Sequence, residues 1–422
     1  MESATRSASI AVPIEVSASL TGPTDPNVRA TVLDALRGFA LIGVCLGNVA
    51  TSFSFWDWPG TAGLTPKYLL PTDDTAQYLY HALVDGKFYS LFSLLFGVGF
   101  ALQLGRRSDE VAALVTYRRR LRVMAAIGLA HALIWMGDIL LFYALMGLIL
   151  VRLRGIDDRR LLRWVVILLA LPIVNYLPML IDPALMLGTP FFAAAFGIAK
   201  VVGLDVTNPT IIADSYLQGG VVGMAKLSVP AVFFRFGDLL YQGRPFKVLA
   251  MFLLGMLIGR RRMWENLEAH VPLLRRTCLW GFLIGLPACL LLAIDASTAT
   301  EGGSPGLDGL RDTILYSIGV APLALAYGSG FVLLWRIPAW QRVLDWLAPT
   351  GRMALTNYLM QTLIGIAVFY GIGLGLGGRL GATYFLPLVL AILVGQTLFS
   401  RWWLARHRFG PMEGLWRTLT YR

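Results

Sequence analysis

Apolar runs of membrane-crossing length alternate with arginine clusters along this chain, and the clusters fall at every second end of those runs. They stand at Arg106/Arg107/Arg118/Arg119/Arg120, Arg152/Arg154/Arg159/Arg160/Arg163, Arg260/Arg261/Arg262 with Arg275/Arg276, and Arg336/Arg342/Arg352. This is the positive-inside pattern of a protein that crosses a bilayer repeatedly. Every backbone N–H and C=O in lipid needs a partner within the fold, so the expected fold class is all-α, a polytopic transmembrane helix bundle.

A span takes about 20 apolar residues, and about ten stretches qualify. They run 33–53, 77–104, 121–137, 138–152, 163–182, 246–260, 277–295, 313–335, 353–372 and 383–404. With the arginines inside, the first span runs outward and both termini are cytoplasmic. Residues 1–29, rich in Ser, Ala, Thr and Pro, are expected to form a disordered cytoplasmic tail, and 30–422 the transmembrane domain. The stretch 183–245 mixes apolar and polar runs and is expected to be an external cap or re-entrant segment rather than a spanning helix.

Composition supports a lipid solvent. The chain is 56% apolar and 14% charged, against about 45–50% and about 25% for a soluble domain. The net charge of +11 is parcelled between spans, which points to anionic lipid headgroups and not to nucleic acid. Cys45, Cys278 and Cys289 all lie inside spans without metal or disulfide spacing, and are expected as small core residues.

Polar groups at span depth are costly and usually functional. At 1.5 Å per residue, Asn48 lies about 16 Å beyond Arg37, His131 at a similar depth beyond Arg120, and Gln361 about 13 Å beyond Arg352. The three are therefore expected in one layer near the bilayer centre. His131 is the mid-depth group suited to proton transfer near neutral pH; buried packing is its alternative. Asn48 and Gln361 have interhelical hydrogen bonding as theirs. Asp138 either caps the fourth span or orients a substrate. Asp34 and Arg37 lie one turn apart, so a carboxylate-held arginine at the inner mouth could meet a phosphate. Asp85 and Lys87 are expected to pair or snorkel, and Glu413 and Arg417 to pair across one turn. No Walker loop, dinucleotide fingerprint or metal-ligand cluster is present in the sequence.

Several stretches together resemble one family: Leu33-Asp34-Ala35-Leu36-Arg37-Gly38-Phe39-Ala40 followed by Asn48, Lys87 through Gly97, Gly128-Leu129-Ala130-His131 leading to Gly137-Asp138-Ile139-Leu140, Gly351-Arg352 through Asn357-Tyr358 and Gln361, and Phe409-Gly410-Pro411 through Arg417. The set is similar to the YeiB-like bacterial inner-membrane family over residues 30 to 422. That family is in turn distantly similar to heparan-alpha-glucosaminide N-acetyltransferase and to the acyltransferase-three membrane proteins. The clearest match is Arg37-Gly38 with Asn48 eleven residues on. Where the heparan enzyme carries its catalytic His a further eleven positions along, this chain has Pro59.

The resemblance implies a multi-pass protein of the bacterial cytoplasmic (inner) membrane. It would move an acyl group from cytoplasmic acetyl-CoA or another acyl-CoA to an acceptor across the membrane, without a metal. On that reading His131 and Asn48 are catalytic, as base and oxyanion donor, and Asp34, Arg37, Asp138, Arg352, Asn357 and Gln361 bind substrate. The expected partners are the lipid bilayer and a small-molecule acceptor, with a homodimer left open and nucleic acid excluded. Two other classes stay open: a transporter or flippase of a small solute or lipid-linked intermediate, and a non-catalytic membrane scaffold.

Overall fold

The structure, a computed structural model, describes residues 31–55, 68–105, 110–208, 210–298 and 306–421. The tail expected at 1–29, together with Arg106, Arg107 and Pro59, lies outside those residues. The described residues form helices and short turns, and no β-strand occurs among them beyond one bridge between Tyr68 and Leu380. Seven helical segments are long and apolar enough to cross a membrane, and shorter apolar helices accompany them.

Helix α1 (Thr31–Asn48) continues through a π-helical turn at Val49–Phe53. A π turn widens the helix and is often found at functional positions. Helices α2 (Asp73–Leu83) and α3 (Lys87–Leu104) form one long, broken rod. The break falls at Val84–Gly86, where Gly86 has a φ of 81°, a left-handed conformation that suits glycine. Helices α4 (Glu110–Ile134) and α5 (Leu140–Arg152) pack as the expected tight hairpin around Gly137-Asp138.

Helix α6 (Asp158–Tyr176) starts from a cap in which Asp157 accepts the Arg160 N–H. The following stretch, 183–245, expected as an external cap or re-entrant segment, is helical: α7 (Thr189–Val201), α8 (Ile211–Leu217) and α9 (Gly220–Tyr241), with α9 long and apolar enough to cross a membrane. Its apolar run was hidden in the sequence by Pro230 within the helix and by Arg235 and Asp238, which pair with each other at 2.9 Å. Helix α10 (Arg244–Arg260) covers the stretch expected as the span 246–260 and follows α9 after Gln242-Gly243. Gly243 is left-handed there, with a φ of 62°. A left-handed glycine thus stands immediately before α3 and before α10.

The two helices that follow these glycines, α3 and α10, lie against each other at backbone distance. Gly97 faces the carbonyl of Phe252, Gly255 faces that of Leu94, and Gly259 packs on Ala101. The pairing advances along both helices together, so they run parallel, and their first residues, Lys87 and Arg244, start at nearly the same level. Absence of a side chain at the three glycines is what permits this approach.

The remaining helices complete the bundle: α11 (Val271–Thr298), α12 (Leu307–Trp335), α13 (Pro338–Leu344), α14 (Ala348–Arg352), α15 (Ala354–Phe369), α16 (Phe385–Leu404) and α17 (Pro411–Tyr421). Helices α11 and α12 pair along their length, and α14 crosses α1 at Gly38 and Gly351. Exposed apolar side chains such as Val166, Trp280, Leu283 and Leu398 form outer faces that an aqueous solvent would not favour and that lipid tails cover.

Candidate functional site

Helices α1, α2, α3, α4, α9, α15 and α17 enclose a cavity of about 400 Å³. One end is cationic. Arg37, Arg120, Arg352, Arg408 and Arg417 line it, with Asp34 and Glu413 as the carboxylates. Apolar and aromatic walls follow, including Phe92, Phe96 and Tyr143. The other end carries Asn48, Thr51, Ser52, Tyr80, Asp85, Arg235 and Arg244. The level of Arg37 is that of Gly99 on α3, whose Cβ position lies 3.8 Å from the guanidinium. The break before Lys87 is twelve residues further along α3, so the two ends are separated by about 18 Å.

The arginine end is assembled from distant parts of the chain. Arg37 is held by Asp34 at 2.7 Å, one turn earlier on α1. Gly38 and Gly351 let α1 and α14 cross with backbone touching backbone, which sets the adjacent Arg37 and Arg352 on one rim. Helix α17 closes the floor. Its Glu413 accepts the Leu355 and Thr356 N–H groups at 2.7 and 3.1 Å and the Thr356 hydroxyl at 2.5 Å. These are first-turn donors of α15, so Glu413 caps that helix from another one, favourably with its dipole. Trp416 donates its indole N–H to the Arg120 carbonyl at 2.9 Å while the Arg120 guanidinium stacks 3.8 Å above its ring. Arg417 lies over Phe409 at 4.0 Å.

At the far end the π turn does local work. Asn48, Thr51 and Ser52 all face the cavity from one side of α1. Asn48 and Arg37 therefore lie on the same wall, eleven residues apart, as the helical rise requires.

The helices bring the polar groups to a shared level, but their faces do not converge. Phe53 stacks on Trp135 at 4.6 Å and packs against Gly365, so the neighbouring turns of α1, α4 and α15 share one level. Asn48 faces the cavity; His131 does not line it. His131 is 6% exposed and both ring nitrogens are engaged. Nδ1 donates to Asp138 at 2.7 Å, which leaves Nε2 to accept from the Thr362 hydroxyl at 3.0 Å. Asp138 accepts the Leu141 N–H at 2.9 Å with its other oxygen, tying down the first turn of α5. The arrangement has the order of a hydroxyl–imidazole–carboxylate relay, but Thr362 is 1% solvent-exposed and is not on the cavity wall. Tyr358 and Ile139 stand on the wall instead, the tyrosine ring 5.3 Å from His131. The expected meeting of His131 and Asn48 around one reacting carbonyl is thus corrected: the histidine binds the α4–α5 hairpin to α15, behind the wall.

Asn357 and Gln361 also lie off the cavity wall. Asn357 donates to the Thr350 carbonyl and the Ser400 hydroxyl at 3.0 Å each, and Gln361 donates to Gln396 at 3.0 Å. Gln396 donates in turn to the Asn357 carbonyl at 2.8 Å. This amide ladder joins α15 to α16, the role that buried polar groups take between membrane helices.

Groups that sequence reasoning passed over now occupy the site. Arg235 and Arg244 had been assigned to an external cap, yet both line the cavity. Asp85, expected to pair with Lys87, lies on the wall, while the Lys87 ammonium turns to the His81 carbonyl at 2.7 Å and closes the end of α2. A readable signal was the charge inside the apolar run from Leu227 to Gly259, since charge at span depth is retained for a reason.

Fold and site define a multi-pass helical membrane protein with an arginine-lined interior cavity. Residues 258–422 match the family described as "Protein of unknown function (DUF418)". The chain is 31% identical to the uncharacterized protein YxaH of Bacillus subtilis (strain 168) over 94% of its own length and 96% of that protein. It is 30% identical to the uncharacterized protein YeiB of Escherichia coli (strain K12), over 93% and 97% of the two chains. The chain belongs to this YeiB-like DUF418 family. No solved structure matches it.

Proposed function

We propose that this protein is a transmembrane acyltransferase whose cavity takes acyl-CoA from the arginine end, which is cytoplasmic by the distribution of basic residues. The observation that carries the reading is the five-arginine rim, Arg37, Arg120, Arg352, Arg408 and Arg417, at one end of a long cavity with Asn48 near the other. Guanidinium groups match phosphate oxygens in geometry and charge. The apolar middle suits a pantetheine arm, and the thioester would rest beside Asn48.

In the transfer step, the acceptor hydroxyl or amine attacks the thioester carbonyl carbon. Asn48 Nδ2 donates to the oxyanion that develops. Asp85, the carboxylate lining that end among the described residues, takes the acceptor's proton. The C–S bond then breaks, and the proton taken up by Asp85 passes to the sulfur so that CoA leaves as the thiol and the carboxylate is restored. His131 and Asp138 act as positioning residues, holding the Tyr358–Ile139 wall.

Equilibrium binding of radiolabelled acetyl-CoA to the purified full-length protein tests the donor site. Binding that weakens roughly tenfold on loss of one rim guanidinium, in Arg352→Gln or Arg120→Gln, supports it. Absence of binding to the wild-type protein removes the reading. A transporter reading has one observation in its favour, the break at Val84–Gly86 in the α2/α3 rod, interrupted helices being a recurrent feature of solute carriers. Solute uptake by proteoliposomes without any CoA would select it.

A further inference from the structure

At the far end of the cavity and directly behind its wall, cationic groups outnumber carboxylates. The half-buried Arg235 and Arg244 and the buried Lys87 and Lys247 gather near the starts of α3 and α10, against Asp85, Asp238 and, on another side of Arg235, Asp138, which is engaged by His131. Asp238 is occupied: it accepts from Arg235 at 2.9 Å and from Gln242 at 2.6 Å. Lys87 is fully buried and held by a carbonyl, not a carboxylate. The Arg244 guanidinium lies 4.5 Å over the Tyr89 ring, and its Nε donates to Gln242 at 2.6 Å, with no carboxylate in ion-pair range among the described residues. Lys247 is 8% exposed and its ammonium rests 3.7 Å over the Tyr316 ring, with neither a hydrogen-bond acceptor nor a carboxylate partner among those residues.

Aromatic faces attract a cation but do not cancel its charge. An uncompensated charge in a bundle interior is costly and is retained where it meets a ligand or pathway. The backbone adds to the same sign. Parallel helices α3 and α10 both begin here, so the positive ends of two helix dipoles of 18 and 17 residues stand side by side. The Tyr316 hydroxyl donates to the Tyr89 hydroxyl at 3.2 Å, which leaves the Tyr89 O–H as a further donor.

We propose that this junction is a second anion site, in which Arg244, with Lys247 behind it and Arg235 beside it, takes the carboxylate or phosphate group of a small molecule. On the acyltransferase reading, on which this assignment of the ligand's role rests, that molecule is the acceptor. It enters from the side opposite the arginine rim and is anchored by its anionic group beside Asp85 and Asn48. The class of acceptor is then an acidic one, such as a sugar acid or a phosphorylated glycan precursor, and not a neutral sugar.

The test uses full-length protein in detergent micelles, first saturated with CoA to occupy the rim, then titrated with inorganic phosphate while thermal stability is followed. Ligand binding to the native state raises the midpoint in a concentration-dependent way. Wild-type protein is expected to gain stability from phosphate in the presence of saturating CoA. Arg244→Gln should lose that gain, or need roughly tenfold more phosphate, while keeping its response to CoA. Arg244→Lys, which keeps the charge and loses the planar fork, should show a weakened response and serves where the glutamine variant does not fold. An unchanged phosphate response in either folded variant, or none in the wild type, overturns the site. Absence of a CoA response alongside an Arg244-dependent phosphate response retires the donor reading and leaves this site standing. Phosphatidylglycerol added to the micelles identifies the source: competition with phosphate makes the occupant a lipid headgroup, and its absence makes it a soluble anion, each through the same guanidinium.

Discussion

Gly351 has its Cα against the carbonyl oxygen of Asp34, so closely that a methyl group there would overlap the α1 backbone. Gly38 meets the Leu347 carbonyl in the same way from the opposite side. The crossing explains why arginine adjoins glycine in both segments: each glycine brings a backbone in, and the neighbouring arginine, Arg37 or Arg352, is delivered to the cavity rim. Replacement of Gly351 by Ala is therefore expected to cost about 3 kcal/mol, the upper part of the range for overpacking, because the obstacle is backbone and cannot rotate away. Thermal unfolding in detergent measures it. Gly414→Ala, where nothing lies within 4 Å, should leave the midpoint unchanged or slightly raised.

The buried Asp138–His131–Thr362 chain predicts a stability effect and not a loss of ligand. His131→Ala leaves a buried carboxylate without its imidazole partner, with an expected cost of roughly 3–5 kcal/mol. Acetyl-CoA affinity of the folded fraction should be within about twofold of wild type, since His131 is absent from the cavity wall; a larger change, on the order of the 1.4 kcal/mol that equals a factor of ten, would return the histidine to the binding site.

Much of this arrangement was legible in the sequence, for an identifiable reason. Helical rise is fixed, so counting from an interfacial arginine put Asn48, His131 and Gln361 in one layer, and the contacts of Phe53 with Trp135 and Gly365 bring the neighbouring turns of those three helices together. Rotation about each helix axis was not legible. It depends on packing partners hundreds of residues away: Gln396 for Gln361, Thr362 for His131. The cavity-lining role of Arg235 and Arg244 was obscured for a related reason. With Asp238 they lower the local apolarity, and although the Arg235–Asp238 pair and Gln242 lie within a few residues, the Tyr89 ring under Arg244 comes from a distant helix.

Glu413 acts on a helix it does not belong to. Glu413→Ala removes the acceptor of two first-turn N–H groups and one hydroxyl of α15, with an expected loss of about 1–2 kcal/mol. Because α17 carries Arg417 and the turn leading into it carries Arg408, the same substitution should loosen the floor of the arginine end and weaken acetyl-CoA binding severalfold, read in one binding isotherm. Glu413→Gln should retain part of the cap. Stability loss with unaltered binding would separate α17 from the site.

Asp85 divides binding from turnover. In Asp85→Asn the acceptor's proton has no carboxylate to receive it, so acyl transfer should fall by at least about a hundredfold, the lower bound for a general base. Acetyl-CoA affinity should hold, because Asp85 is about 18 Å from the rim. Single-turnover assays with labelled donor separate the two quantities, and unimpaired transfer would remove Asp85 from the chemistry.

The central claim is that this cavity receives acyl-CoA with its phosphates among the arginines and its thioester at Asn48. The most direct measurement is an experimental density map of the full-length protein in nanodiscs saturated with acetyl-CoA. The account predicts phosphate density within hydrogen-bonding distance of Arg37, Arg120 or Arg352, and an extended arm passing Phe92 and Phe96 to end beside Asn48. A cavity that stays empty at saturating donor, or acetyl-CoA bound elsewhere on the protein, would contradict it.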